Sequence, residues 1–269
     1  MSHTTKAGPT PESAAPLAIL PELIIPPRFR GPSGSGNGGY VCGRIAACAG
    51  GPVTVTLHRP PPLGTPMAFE QGDDGSLRIR HGSMLIAGAT SPTDSPALEV
   101  PVSAGLAEAQ LPTGRARYFQ DPVFPDCFVC GVNRPPGDGL RIFPGPLQGE
   151  ALWGAPWTPD STVAGSDGRV RPEVAWAALD CPSGIAAAEH ARLGQDTAIV
   201  LGRMTASLAR LPEPGDQCRV IAWPTGRDGR KLTAGSALLG PGGEVLAAAR
   251  AVWITVPRPV TAQATEGSS

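Results

Sequence analysis

The sequence predicts an α+β protein made of two similar units, each a helix packed on an antiparallel sheet. Three observations predict it. Val174 to Ala188 carries the apolar period of a buried helix. In each half, a helical segment is followed by short β-branched or apolar runs set between Gly, Pro and Asp. The halves also match in order: Leu57-His-Arg-Pro-Pro-Pro-Leu-Gly64 answers Leu208-Ala-Arg-Leu-Pro-Glu-Pro-Gly215, and Met84-Leu-Ile-Ala-Gly-Ala89 answers Val245-Leu-Ala-Ala-Ala-Arg250. Two such units in one chain suggest a fused pseudo-dimer with its sheets joined or packed together.

Composition narrows the function. The chain has 269 residues and a formal net charge of -1, with a pI near 6.4, so no basic footprint for nucleic acid is present. The 35 glycines and 32 prolines fall between apolar runs, where they serve turns. No stretch is long and apolar enough to span a membrane. Leu17 to Ile25 is short, broken by Pro21 and without a basic flank, so a secretory signal is not expected. A cytoplasmic protein with six free thiols follows as the expectation.

Taken in order, residues 1–21 are polar and Pro-rich, and a disordered tail is expected. The first unit, 22–120, opens with an extended segment, Leu23 to Phe29, and a glycine loop, Gly31 to Gly39. Asn37 is a natural N-cap for a helix over Tyr40 to Ala49, and Gly50-Gly51-Pro52 stops it. Strands are expected at Val53–Leu57, Met67–Glu70, Leu77–Arg80 and Met84–Ala89, with another at Leu98–Val102. The second unit, 121–257, begins with a turn-rich segment from Pro125 to Pro144 and a strand over Leu152–Trp157. Its helix starts at Pro172, whose missing N–H is harmless at a first helical position. Pro182 should kink it. Strands are expected at Ala198–Leu211, Gln217–Trp223, Arg230–Leu239 and Val245–Val256, with a hairpin at Gly226-Arg-Asp-Gly229. Residues 258–269 form a polar tail.

These residues resemble a known family. A helix laid in a curled antiparallel sheet resembles the hotdog fold, and a tandem pair resembles the double hotdog. Asn37-Gly-Gly-Tyr-Val41 is similar to the helix start of double-hotdog acyl-CoA thioesterases. Cys127-Phe-Val-Cys-Gly131, followed by Gly139-Leu140, is similar to the entry strand of single-hotdog thioesterases. Trp176-Ala-Ala-Leu-Asp180 aligns with the helix of that group, whose carboxylate is catalytic in many members. Gly229-Arg-Lys231, Gly235-Ser-Ala237 and Gly243-Glu-Val-Leu-Ala247 look like its closing strands. Over roughly residues 23–257 the chain resembles thioesterase-like proteins of actinobacteria. The resemblance implies a tandem hotdog hydrolysing an acyl thioester at a composite site between units. It implies no cofactor beyond the coenzyme A moiety of the substrate, and a homodimer as a candidate assembly. The alternative is a non-catalytic acyl-CoA or lipid-binding protein of the same fold.

Thioester hydrolysis needs donors for the carbonyl oxygen and a carboxylate to attack or to activate water. Gly38 and Gly39 offer amides at a helix start, without side chains to block approach. Asp180 is the carboxylate, with Asn37 orienting water or substrate; the competing readings are a plain capped helix and a buried carboxylate bonded to backbone or arginine. Glu173 is either a second carboxylate or a first-turn dipole partner. Trp176 either shields the site or fills the core, and Ser183 either orients water or packs at the kink. Arg230 and Lys231 meet coenzyme A phosphates or stay solvated at a hairpin tip. Ala46 stands where spacing would put a second Asp180, so a single working site is expected. One Cys-x-x-Cys pair, Cys127 and Cys130, with no partner pair at finger-like spacing, is expected to be metal-free. No histidine stands near either helix start, which disfavours dehydration chemistry.

Overall fold

A computed structural model describes residues 22–92, 98–101, 113–147 and 151–259. The expected tail over 1–21 lies outside the described residues. So do 260–269 of the C-terminal tail, whereas Arg258 is fixed by a 2.7 Å bond to Asp121.

Two helices organise the core. Helix α1 spans Gly38–Ala46, and Asn37 caps it by accepting the amide of Tyr40 at 2.9 Å. It ends earlier than the sequence suggests, because Ala47 to Ala49 belong to a turn before Gly50, which takes φ 68°. Helix α2 spans Pro172–His190, starts at the expected proline and runs through Pro182. Pro182 has no N–H to donate to the preceding turn. Hydroxyls reach carbonyls beside it: Ser236 Oγ donates to Leu179 O and Ser183 Oγ to Asp180 O, both at 2.7 Å.

All strands among the described residues lie in one sheet. They are β1 (Thr54–Leu57), β2 (Ala68–Gln71), β3 (Leu77–His81), β4 (Met84–Thr90), β5 (Gly145–Pro146), β6 (Trp153–Trp157), β7 (Thr197–Leu208), β8 (Cys218–Asp228), β9 (Lys231–Leu239) and β10 (Val245–Pro257). The order is β2-β3-β4-β1-β7-β10-β9-β8-β6-β5, with every pairing antiparallel. Outward from the β1–β7 junction, the four strands that follow each helix read alike, first, fourth, third, second, and β6 and β5 extend the second half alone. The junction pairs Val55 with Met204, and Thr54 Oγ1 lies 2.7 Å from Thr205 Oγ1. Of the matched sequence segments, Met84–Ala89 lies in β4 and Val245–Arg250 in β10, while Leu57–Gly64 and Leu208–Gly215 start at the ends of β1 and β7 and run on beyond them.

Differences from the sequence reading have local causes. Leu23 and Ile25 make single bridges to Met67 and Leu63, and Pro27–Phe29 forms a 3-10 turn instead of continuing a strand. Residues 98–101 are not in a strand, and Val102 lies outside the described residues. The hairpin expected at Gly226–Gly229 turns later. A register shift falls at Thr225, Gly226 pairs with Thr233, β8 continues to Asp228, and Gly229-Arg230 is the turn, with Gly229 at φ 53°.

Helix α2 packs on β7, β8, β9 and β10, while α1 lies against α2 and reaches β1 and β7. Glycine sets the approach of the helices. A Cβ on Gly39 would lie 2.5 Å from Asp180 Cβ and 2.7 Å from Trp176 O; one on Gly43 would lie 2.5 Å from Glu173 Cα.

Candidate active site

The N-terminus of α1 points at the middle of α2. Asn37 and Asp180 are each only 2% exposed. Asp180 Oδ2 accepts two hydrogen bonds, from Asn37 Nδ2 at 2.8 Å and from the Gly39 amide at 2.9 Å. Asn37 works in two directions, because its Oδ1 caps the helix while its amide holds the carboxylate. Asp180 Oδ1 has no partner among the described residues. A buried carboxylate oxygen without a donor is costly. Its environment is reflected in its acidity: burial raises the Asp180 pKa to about 7, with the Cys127 thiol adding to the rise, against the Gly39 and Asn37 donors, which lower it. A carboxyl group so placed can both take and return a proton near neutrality.

Asp180, Asn37 and Gly38 lie on the wall of a cavity of about 330 Å³. Leu57, Ile185, Leu193, Leu201 and Trp253 make much of the remaining wall apolar. That volume falls at the small end of ligand cavities, roughly 300–1,000 Å³. The Gly38 amide donates to no described residue, so the helix start keeps one free donor there.

The other candidate residues take several different places around this centre. Gly39 was expected to offer its amide to substrate together with Gly38; that amide is instead bonded to Asp180. Glu173 is off the cavity wall, packed over Gly43 with Arg171 Nη1 3.8 Å away. Trp176 is 5% exposed and belongs to the core. Ser183 lies behind the site, donating to Asp180 O and accepting Trp253 Nε1 at 2.9 Å. Arg230 and Lys231 sit at the β8–β9 turn, off the cavity, and Arg230 Nε donates to Thr255 O.

The cavity instead carries arginines that the sequence reading did not single out. Arg117 pairs with Glu189 and Arg258 with Asp121, while the Arg59 guanidinium has no ion pair or hydrogen bond among the described residues. Cys127, Cys130 and Cys181 also line it. The sequence placed Cys181 next to Asp180, but nothing in the spacing tied it to a pair more than fifty residues upstream.

No protein-family model matches the chain, and no curated protein matches it in sequence. Solved structures similar to part of the chain include proteins described as thioesterases. One, described as a thioesterase superfamily protein, aligns at 17% identity over 43% of this chain and 57% of its own length, with a TM-score of 0.38. A Haemophilus influenzae thioesterase aligns at 15% identity over 44% of this chain and 80% of its own, with a TM-score of 0.39. A Streptococcus mutans protein, solved bound to acetyl CoA, aligns at 8% identity over 40% and 84%, with a TM-score of 0.36. No helix among the described residues is long and apolar enough to cross a membrane.

Proposed function

We propose that this chain hydrolyses an acyl thioester at one site assembled from its two halves, in a tandem hotdog arrangement. The observation that carries the reading is Asp180: its Oδ1 is buried without a partner, and the residue lines a largely apolar cavity. The acyl chain lies along the apolar wall. Oδ1 takes a proton from a water molecule, whose oxygen bonds to the thioester carbonyl carbon. The carbonyl electron pair moves onto oxygen, which meets the free Gly38 amide and the positive end of α1. When the carbonyl re-forms, the carbon–sulfur bond breaks. The departing thiolate takes the proton held by Asp180, leaving a carboxylic acid and a thiol. Asn37 keeps Oδ2 fixed throughout, so Oδ1 alone faces the reaction.

Arg59, unpaired on the cavity wall, is the candidate contact for coenzyme A phosphate, in place of Arg230 and Lys231. The reading keeps the other expectations of the sequence: a cytoplasmic protein of the actinobacterial thioesterase-like group, a small acyl thioester as partner, no nucleic acid, and a homodimer as the candidate assembly.

A second reading has its own observation. The Gly39 amide and Asn37 both bond Asp180 Oδ2 and tie helix to helix, leaving only Gly38 to hold an oxyanion. This favours an acyl-CoA or lipid binder that kept the fold without turnover. Release of free thiol from a panel of acyl-CoA thioesters separates the two. Hydrolysis predicts thiol release; binding alone predicts only a rise in melting temperature with acyl-CoA.

A further inference from the structure

We propose that Cys127, Cys130 and Cys181 form a binding site for a thiophilic metal ion, with zinc the ion that fits. Their sulfurs all lie within 4.8 Å of one another, and Cys127 Sγ is 3.6 Å from Cys181 Sγ. Zinc–sulfur bonds of about 2.3 Å at tetrahedral angles put ligand sulfurs about 3.8 Å apart. The cluster thus has ligand spacing before any ion arrives. It is also far from a disulfide, whose sulfurs are bonded at about 2.05 Å. The expectation that Cys127 and Cys130 are metal-free rested on the lack of further ligands nearby in sequence; α2 brings the third thiol from Cys181.

The surroundings are not those of three apolar fillers. A structural cysteine behaves as a small hydrophobe and needs no donors. Here the Asn37 side-chain amide lies 3.9 Å from Cys127 Sγ and 3.7 Å from Cys181 Sγ. A donor set between two of the sulfurs orients them, as outer-shell groups orient metal ligands. Tyr118 Oη, 3.8 Å from Cys130 Sγ, completes the shell and can turn its proton toward a thiolate.

Three protein ligands leave one tetrahedral position open, as sites that exchange a ligand do. All three cysteines line the cavity, so that position is served from it, by water or by a sulfur-bearing ligand. Asp180 is not part of the group. Binding would replace three thiol protons by one divalent ion and join residues 127–130 to α2. The proposal needs only the three sulfurs and stands whether or not the chain hydrolyses thioesters.

The test uses the full chain, kept reduced, stripped with a chelator and titrated with cobalt(II), then with zinc in competition. One equivalent of cobalt should give a thiolate-to-metal charge-transfer band that zinc abolishes. Cys127→Ser, Cys130→Ser and Cys181→Ser should each weaken binding by more than about 100-fold, beyond the usual effect of losing an outer-shell group. Cys218→Ser should leave the affinity unchanged. Zinc should also raise the melting temperature of the wild type and not of the three variants. No charge-transfer band in the wild type would overturn the proposal without any variant. A band equally strong in Cys181→Ser, in a sample whose melting shows it folded, would overturn it too.

Discussion

Each of the two helices precedes four strands of the same order, and the two helix starts differ in what surrounds them. Helix α1 begins with Asn37 as a side-chain cap, followed by Gly38 and Gly39, with the Asp180 carboxylate against its amides. Helix α2 begins after Arg171, which makes no side-chain cap, and its first residue is a proline with no amide to give. Asp180 faces the first start. Ala46 stands as far from Gly38 as Asp180 does from Pro172, and it carries no group that attacks or accepts a proton. The strand order is duplicated; the polar machinery is not. A sheet and a close helix crossing require small residues and apolar stripes, which both halves supply. A site needs a carboxylate and a free donor together, and one half supplies each.

The largest expected effect comes from removing the carboxylate. Asp180→Asn keeps an oxygen for the Asn37 and Gly39 donors, so the fold should survive, while thiol release should fall by about 10²–10⁴. Unchanged turnover would put the chemistry elsewhere.

Next are the glycines at the crossing. Gly39→Ala and Gly43→Ala both drive a Cβ against backbone of α2, whereas Gly38→Ala meets only the side chain of Leu201, at 2.8 Å. Denaturant melts should show losses of about 1–3 kcal/mol for the first two and less for Gly38→Ala. If Gly43→Ala were harmless and Gly39→Ala severe, the two ends of the crossing would not be equivalent.

Asn37→Ala removes a cap and a carboxylate partner at once. A stability loss of about 0.5–2 kcal/mol is expected from the cap. Turnover should fall as well, because Asp180 then loses one of the two donors on Oδ2; the corresponding Arg171→Ala at the other helix start should leave kcat unchanged. Smaller still is Arg59→Ala. An exposed charge contact of about 0.2–1 kcal/mol should raise KM a few-fold for coenzyme A thioesters, with kcat kept. An equal KM rise for a thioester lacking the nucleotide would remove Arg59 from phosphate binding.

The sequence revealed what depends on local chemistry. Asn37 as cap, Pro172 as helix start, the short strands between turns and a carboxylate on an apolar helix could all be read from neighbouring residues. The pairing of the halves showed as repeated order, though not which strands would join; β1 meeting β7 depends on an edge-to-edge choice that no local pattern encodes. What stayed hidden was contact across distance. That Gly39 would bond Asp180, and that Cys181 would meet Cys127, are consequences of the helix crossing. The late turn at Gly229-Arg230 was missed for another reason: Gly226 looks like a turn glycine and is a paired strand residue next to a bulge at Thr225.

The single-site account is tested most directly by stoichiometry. A thioether analogue of the best acyl-CoA substrate, which binds without being cleaved, can be titrated into the full chain by calorimetry. One molecule per chain is predicted, with Leu201→Trp, placed on the cavity wall beside Gly38, weakening that binding. Two equivalent molecules per chain would contradict it, because both clefts would then be working sites.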